Sequence, residues 1–137
     1  MREIKFRVFA VSKLGQPLNK FIYSDEFNFS VIKDYSSLRI FFNYLLDQEI
    51  ECFNELQQYT GLKDKSGDHI YEGDIIKFTY YNPALEDDIV LIEFKEGSFG
   101  YLENEDNEFT ILSAWSKELM EVIGNIYQNP ELLENNK

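Results

Sequence analysis

The sequence holds one cysteine, Cys52, and one histidine, His69, in 137 residues. A single thiol excludes an internal disulfide framework and any zinc site built from several cysteines. No apolar run approaches the roughly 18–20 residues that span a bilayer as a helix. The opening Met1-Arg2-Glu3-Ile4-Lys5-Phe6-Arg7 alternates charged and apolar side chains and lacks the continuous apolar stretch of a secretion signal. The chain therefore reads as a cytoplasmic protein with no membrane partner. Cations are also scarce: 13 Lys and Arg stand against 25 Asp and Glu, a net charge of −12. Such a polyanion repels phosphate backbones, which disfavours general nucleic-acid binding. Phosphate-cradling loops are missing too, since Gly97-Ser98-Phe99-Gly100 fits neither the P-loop, the dinucleotide fingerprint nor the hydrolase elbow.

What is present is a chain rich in apolar and aromatic side chains. Hydrophobic residues make up 44%, too many for disorder, and the length suits one domain or two small lobes. A chain this long buries roughly two-thirds of its unfolded surface and needs no staples. Twelve Phe, nine Tyr and one Trp amount to 16% of the residues. Aromatic platforms on small barrels bind single-stranded nucleic acid when a basic groove accompanies them. Here residues 81–137 carry thirteen acids against three cations, so core packing and subunit contact explain the aromatics better. Residues 1–20 are the exception, with five cations against one Glu. Arg2, Lys5 and Arg7 are expected to face the acidic part of the same chain or of a neighbour.

The periodicity is mostly that of β-structure. Residues 3–11 alternate, with Ile4, Phe6, Val8 and Ala10 on one face and Lys5 and Arg7 on the other. Gly15-Gln16-Pro17 is turn chemistry, and short strands at Lys20–Ser24 and Phe27–Ile32 complete a meander. Residues 36–47 switch period: Leu38, Phe41, Phe42, Leu45 and Leu46 form the stripe of an amphipathic helix, with Ser36 or Ser37 as N-cap. That stripe serves either the core or an oligomer interface. Further strands are expected at Ile50–Tyr59, Ile70–Phe78, Asp88–Lys95, Phe99–Leu102, Ile111–Trp115 and Glu121–Tyr127. A connection over Thr60–Asp68 and a turn at Gly73-Asp74 separate the middle ones. Asn129-Pro130 ends the last strand, and Glu131–Lys137 reads as a helical turn. Short strands separated by Gly and Asp turns indicate a small barrel or sandwich.

Candidate chemistry is thin. Asp64-Lys65-Ser66-Gly67-Asp68 resembles the opening of a calcium loop, but the sixth position is His69 where Gly belongs and the twelfth is Ile75 where Glu belongs. His69 beside Asp68 has no nucleophile near it in sequence and reads as an ordinary turn histidine. Cys52 is flanked by Glu51 and Phe53, and a neighbouring carboxylate raises a thiol's pKa, so it reads as a small apolar filler. Catalytic residues, metal ligands and cofactors are therefore all assigned as none, and the chain is read as a non-enzyme.

Three ordered blocks carry a resemblance. They are Met1-Arg2-Glu3-Ile4-Lys5-Phe6-Arg7, the long central stretch from Gln58 to Ile75 (QYTGLKDKSGDHIYEGDI), and Glu121–Leu133 (EVIGNIYQNPELL). The chain resembles the YopX family, small proteins encoded by bacteriophages and prophages. That family usually has Ala-Trp-Asp after the first block, where Phe9-Ala10-Val11 stands here, and residues 25–50 follow no pattern of the family. The resemblance implies a mostly β protein with an SH3-like barrel in its second half, and assembly into oligomers. It brings no catalytic residue. The blocks have a structural account: Gly61, Gly67 and Gly73 permit tight turns, Asp64 and Asp74 bond turn amides, and Gly124 permits a bulge or close backbone approach.

The expectation is thus a mostly β (α+β) fold. An N-terminal meander with one amphipathic helix covers 1–57, an SH3-like barrel 58–130 and a tail 131–137. The expected role is a non-catalytic phage or prophage accessory protein acting by contact with an unknown host or phage protein, and self-associating. Arg2, Lys5, Arg7, Phe41 and Phe42 are the candidate interface residues. The alternatives are nucleic-acid binding through the basic first strand, and an acidic DNA mimic that inhibits a host or defence protein.

Overall fold

The structure, a computed structural model, describes residues 5–12, 17–23, 50–51, 56–102 and 108–134. The described residues are mostly β, and they fall into two compact units, Met1–Tyr59 and Thr60–Lys137. The expected helix over 36–47, with Phe41 and Phe42, lies outside the described residues, as does Arg2.

The first unit is built on β1 (Phe6–Ser12). It pairs antiparallel with β2 (Pro17–Tyr23), placing Arg7 opposite Tyr23, Val8 opposite Ile22 and Phe9 opposite Phe21. The register shifts between Phe9 and Val11, so that Val11 lies opposite Pro17. Pro17 opens its strand, where the ring's missing N–H is tolerated. β1 also pairs with β3 (Ile50–Glu51) and with the start of β4 (Gln57–Lys63), where Arg7 meets Gln57 and Phe6 meets Gln58. The continuous strand expected over Ile50–Tyr59 is instead these separate pieces, and β4 runs on to Lys63.

Alternation puts Val8 on one face of β1 and Phe9 on the other, and both are buried. Phe9 meets Phe21 edge to face, with ring centroids 5.3 Å apart. Arg7 departs from the polar outer face expected for it. It is only 4% exposed, its guanidinium lies 4.0 Å over the Phe21 ring, and Nε donates to Gln57 Oε1 at 2.8 Å. A planar, weakly hydrated guanidinium tolerates such a place where an ammonium would not.

In the second unit the rest of β4 neighbours β5 (His69–Tyr71). β6 (Asp74–Phe78) lies between β7 (Asp88–Leu91) and β11 (Met120–Asn125), all antiparallel. β9 (Ser98–Leu102) lies between β8 (Glu93–Lys95) and β10 (Phe109–Ile111) in the same manner. One core gathers Ile70, Ile76, Phe78, Val90, Ile92, Tyr101, Leu112, Leu119 and Met120 from these strands and turns, with Leu62, Tyr80, Trp115 and Val122 packed against it.

Two expected strands of the second unit differ as well. Asp88–Lys95 divides into β7 and β8, which belong to separate sheets. The break falls at Ile92, whose N–H bonds the Asp74 carbonyl at 2.9 Å and whose carbonyl accepts the Gly73 N–H at 2.7 Å. A buried Ile at the corner anchors the passage from one sheet to the next. Ile111–Trp115 is likewise no strand: β10 ends at Ile111, and Leu112–Ala114 form a 3-10 turn closed by the Trp115 N–H on the Leu112 carbonyl at 3.1 Å. A strand would send Leu112 and Trp115 to opposite faces. The three-residue period sends both to the core.

The described residues contain no helix long and apolar enough to cross a membrane.

Candidate functional site

The central sequence block folds into a loop organised by one carboxylate. Asp64 follows β4 and is 1% exposed. Its Oδ1 accepts the N–H groups of Ser66 and Asp68, each at 2.9 Å, and its Oδ2 accepts the Val122 N–H of β11, also at 2.9 Å. Its own N–H donates to the Asp68 carbonyl and its carbonyl accepts the Gly67 N–H. The neighbouring Lys65 N–H donates to the Met120 carbonyl at 3.0 Å. Above this seam Glu121 lies 3.5 Å from Lys65 and 3.9 Å from Lys77, a surface cluster worth little by itself. All three of these carboxylate bonds go to main-chain donors, so the Asp-x-Ser-Gly-Asp run closes a turn and fastens it to β11.

Asp74 repeats the device on a smaller scale. It is 2% exposed, and its Oδ2 accepts the Tyr71 N–H at 2.8 Å across the Gly73 turn. Gly73 has φ +86°. Its carbonyl accepts the Ile126 N–H at 2.9 Å, which ties the turn to the end of β11. Gly61 and Gly67 also have positive φ, at +86° and +85°.

The third block forms an amide knot. Asn125 Oδ1 accepts the N–H groups of Tyr127 and Gln128, and Asn125 Nδ2 donates to Gln128 Oε1. Asn129 Oδ1 accepts the Asn125 N–H at 3.2 Å, while the Asn129 N–H bonds the Asn125 carbonyl at 2.9 Å. Gly124 lies beneath: a Cβ there would stand 2.6 Å from Asn129 Oδ1 and 2.8 Å from its Cβ. The β6–β11 register also shifts between Val122 and Gly124. Glu131–Glu134 then make one helical turn against β7, with Leu132 and Leu133 half-buried.

The surface is of another kind. Tyr81 is 79% exposed and Leu85 54%, both in the connection from β6 to β7. Asn82 shapes that connection, its Oδ1 accepting the Ala84 N–H and its carbonyl the Leu85 N–H. The Tyr80 hydroxyl donates to Asp88, closing the loop at its base. Tyr80 packs edge to face on Trp115 at 5.9 Å, and Trp115 meets Phe78 at 5.6 Å. Trp115 Nε1 is buried and has no hydrogen-bond partner among the described residues. Phe94, Ile111 and Ile126 are further exposed apolar residues.

The structure sets Gly67, Gly73 and Asp74 in turns and Gly124 at the register shift of β11, whereas Gly61, expected in a turn, lies within β4 at φ +86°, and Arg7 is buried in the first unit. Lys5 is half-buried, and its carbonyl accepts the Tyr59 N–H. Sequence reasoning missed the Arg7–Gln57 bond, the Tyr80–Asp88 contact and the solitary indole donor. Those three carry no local signature, whereas the Asp64 turn does, an aspartate two residues before an amide it caps. Among the described residues no cluster of three His, Cys, Asp or Glu is placed to hold a metal ion.

The same architecture occurs in the crystal structure of protein EF1440 from Enterococcus faecalis. It shares 24% identity and a TM-score of 0.52, over 97% of this chain and 99% of that one, a likeness that speaks for the fold. No curated protein matches the sequence. The family model described as YopX protein matches residues 5–134, which takes in the second and third blocks whole and the end of the first. The chain belongs to the YopX family, a group of phage and prophage accessory proteins.

Proposed function

We propose that this protein is a non-catalytic accessory factor that works in the host cytoplasm by contact with another protein. One observation carries the reading: the motif polar groups are turned inward while large apolar side chains stand outside. Asp64, Asp74 and Asn125 spend their oxygens on backbone amides and are all buried. An active site needs such groups aimed at a substrate. Tyr81 is 79% exposed and Leu85 54%, as a contact surface requires. The second unit reads best as an SH3-like barrel whose turns the motif residues hold.

Self-association is part of the proposal, motivated by the family resemblance, the aromatic content and the charge difference between the two ends of the chain. The nucleic-acid alternative is weakened by Arg7, whose guanidinium is buried against Phe21 and Gln57. An affinity pulldown from phage-infected host cells tests the main reading. One stoichiometric protein partner supports it; turnover of a small molecule by the pure protein, or recovery of nucleic acid alone, overturns it. Light scattering after gel filtration tests self-association, and a sharp monomer of 16.2 kDa at ~100 μM in low salt would remove that part, since assembly is driven by concentration.

A further inference from the structure

We infer that the β6–β7 connection, with Tyr81 and Leu85 at its crest and Tyr80 and Trp115 at its base, is the contact surface, and that it receives a basic, apolar peptide segment of a partner protein. The inference rests on the protein-contact reading above and gives it a place and a partner chemistry.

The apolar part of the surface is presented by design of the loop. Asn82 bonds both Ala84 and Leu85 main-chain N–H groups, so the turn is held while Tyr81, 79% exposed, and Leu85, 54% exposed, have nothing to bury them. The charged part follows at once in the chain. Glu86, Asp87 and Asp88 are all exposed, and among the described residues none of them forms an ion pair with a Lys or Arg. Glu121, by contrast, has two lysines beside it. Consecutive uncompensated carboxylates repel one another, and a cationic segment relieves that repulsion as it docks. Apolar crest and acidic flank together specify a segment carrying Lys or Arg next to Leu, Phe or similar side chains. An acidic or neutral segment would meet the flank without compensation.

A third feature is independent of charge. The Trp115 ring packs on Tyr80, and its N–H is the buried side-chain donor without an acceptor among the described residues. A segment docking against Tyr80 changes the surroundings of the Trp115 ring packed on it. Trp115 is the chain's only tryptophan, so its emission reports this event without a label.

The test uses the full chain and a synthetic peptide of alternating leucine and lysine, with a leucine–glutamate counterpart and oligolysine as controls. The leucine–lysine peptide is expected to shift Trp115 emission saturably, and Tyr81→Ser/Leu85→Ser is expected to weaken it by about tenfold. Asp87→Lys weakens it comparably, while Phe94→Ser/Ile111→Ser, at exposed positions elsewhere, leaves it unchanged. Equal binding by every variant, or by oligolysine as strongly, would mean unspecific attraction to a polyanion and overturns the inference. Absence of binding overturns it as well, and so does a concentration-dependent dimer abolished by Tyr81→Ser/Leu85→Ser, which would make a second copy the occupant. The broader reading fails separately: a partner captured equally by wild type and by Tyr81→Ser/Leu85→Ser sinks this surface and leaves protein contact standing, whereas no partner at all sinks both.

Discussion

The Asp64 carboxylate accepts the Val122 N–H at 2.9 Å across 58 residues of sequence. A local turn is thereby joined to the strand that closes the β6 sheet on its far side. Removing the carboxylate strands three main-chain donors, those of Ser66, Asp68 and Val122. Asp64→Ala should destabilise the protein by about 3 kcal/mol or more, and Asp64→Asn by about half as much, because one carbonyl oxygen survives. Denaturant melts of the two variants check the order, and a wild-type midpoint for Asp64→Ala would show that the seam contributes nothing.

Arg7 makes a charge-conserving change informative. Arg7→Lys keeps the charge but loses the Nε bond to Gln57 and most of the stacking on Phe21. The expected loss is about 1–2 kcal/mol. It is read as a lower urea midpoint for the first unit. An Arg7→Lys protein as stable as wild type would return Arg7 to the exposed face first expected for it.

Gly124 and Asn129 should behave as a coupled pair. Gly124→Ala drives a methyl group into the Asn129 side chain and displaces the oxygen that holds the Asn125 N–H, at a cost of about 1–3 kcal/mol. Asn129→Ala removes both the obstacle and the bond. The double variant should therefore cost clearly less than the sum of the single ones. Additive losses would contradict the contact.

Gly73→Val places a β-branched residue at φ +86°. Strain of roughly 1–3 kcal/mol is expected. The bonds from Gly73 to Ile92 and Ile126 suffer with it. Thermal melting checks this; an unchanged Tm would mean that the turn adopts another conformation at no cost.

Trp115→Phe should be unusually mild for a half-buried tryptophan. It deletes an indole N–H that has no acceptor among the described residues while keeping an aromatic ring against Phe78 and Tyr80. The gain from losing an unpaired donor offsets much of the lost volume, leaving a net change within about 1 kcal/mol. A loss typical of large-to-small core changes would mean that the N–H has a partner after all.

Much of the second unit could be read from the chain alone, for local reasons. The Gly73-Asp74 turn, the start of β6 and the Asp64 turn each rest on residues a few positions apart, whose torsional freedom and side-chain reach act without the rest of the fold. Where the reading failed, distant residues decided. Asp88–Lys95 alternates well enough for one strand, yet Ile92 is claimed by Gly73 and Asp74 and becomes a corner. Ile111–Trp115 has strand-like composition, yet the core takes both Leu112 and Trp115 and forces a tighter period. Arg7 has a charge that local rules place outside, and Gln57 and Phe21 take it in.

Read along the chain, the residues already specify a mostly β protein without a disulfide framework, acidic over residues 81–137, and carrying the three blocks of its family. Composition, alternation and turn residues are additive along the chain, so they survive being read one stretch at a time. It takes the folded chain to turn the Asp64 carboxylate onto the long-range Val122 amide and to leave Tyr81 and Leu85 outside beside Glu86, Asp87 and Asp88. Whether a carboxylate is spent or available depends on which main-chain donors the fold brings within about 3 Å of it. That distance is set by pairings as remote as Asp64 and Val122, which no local pattern encodes.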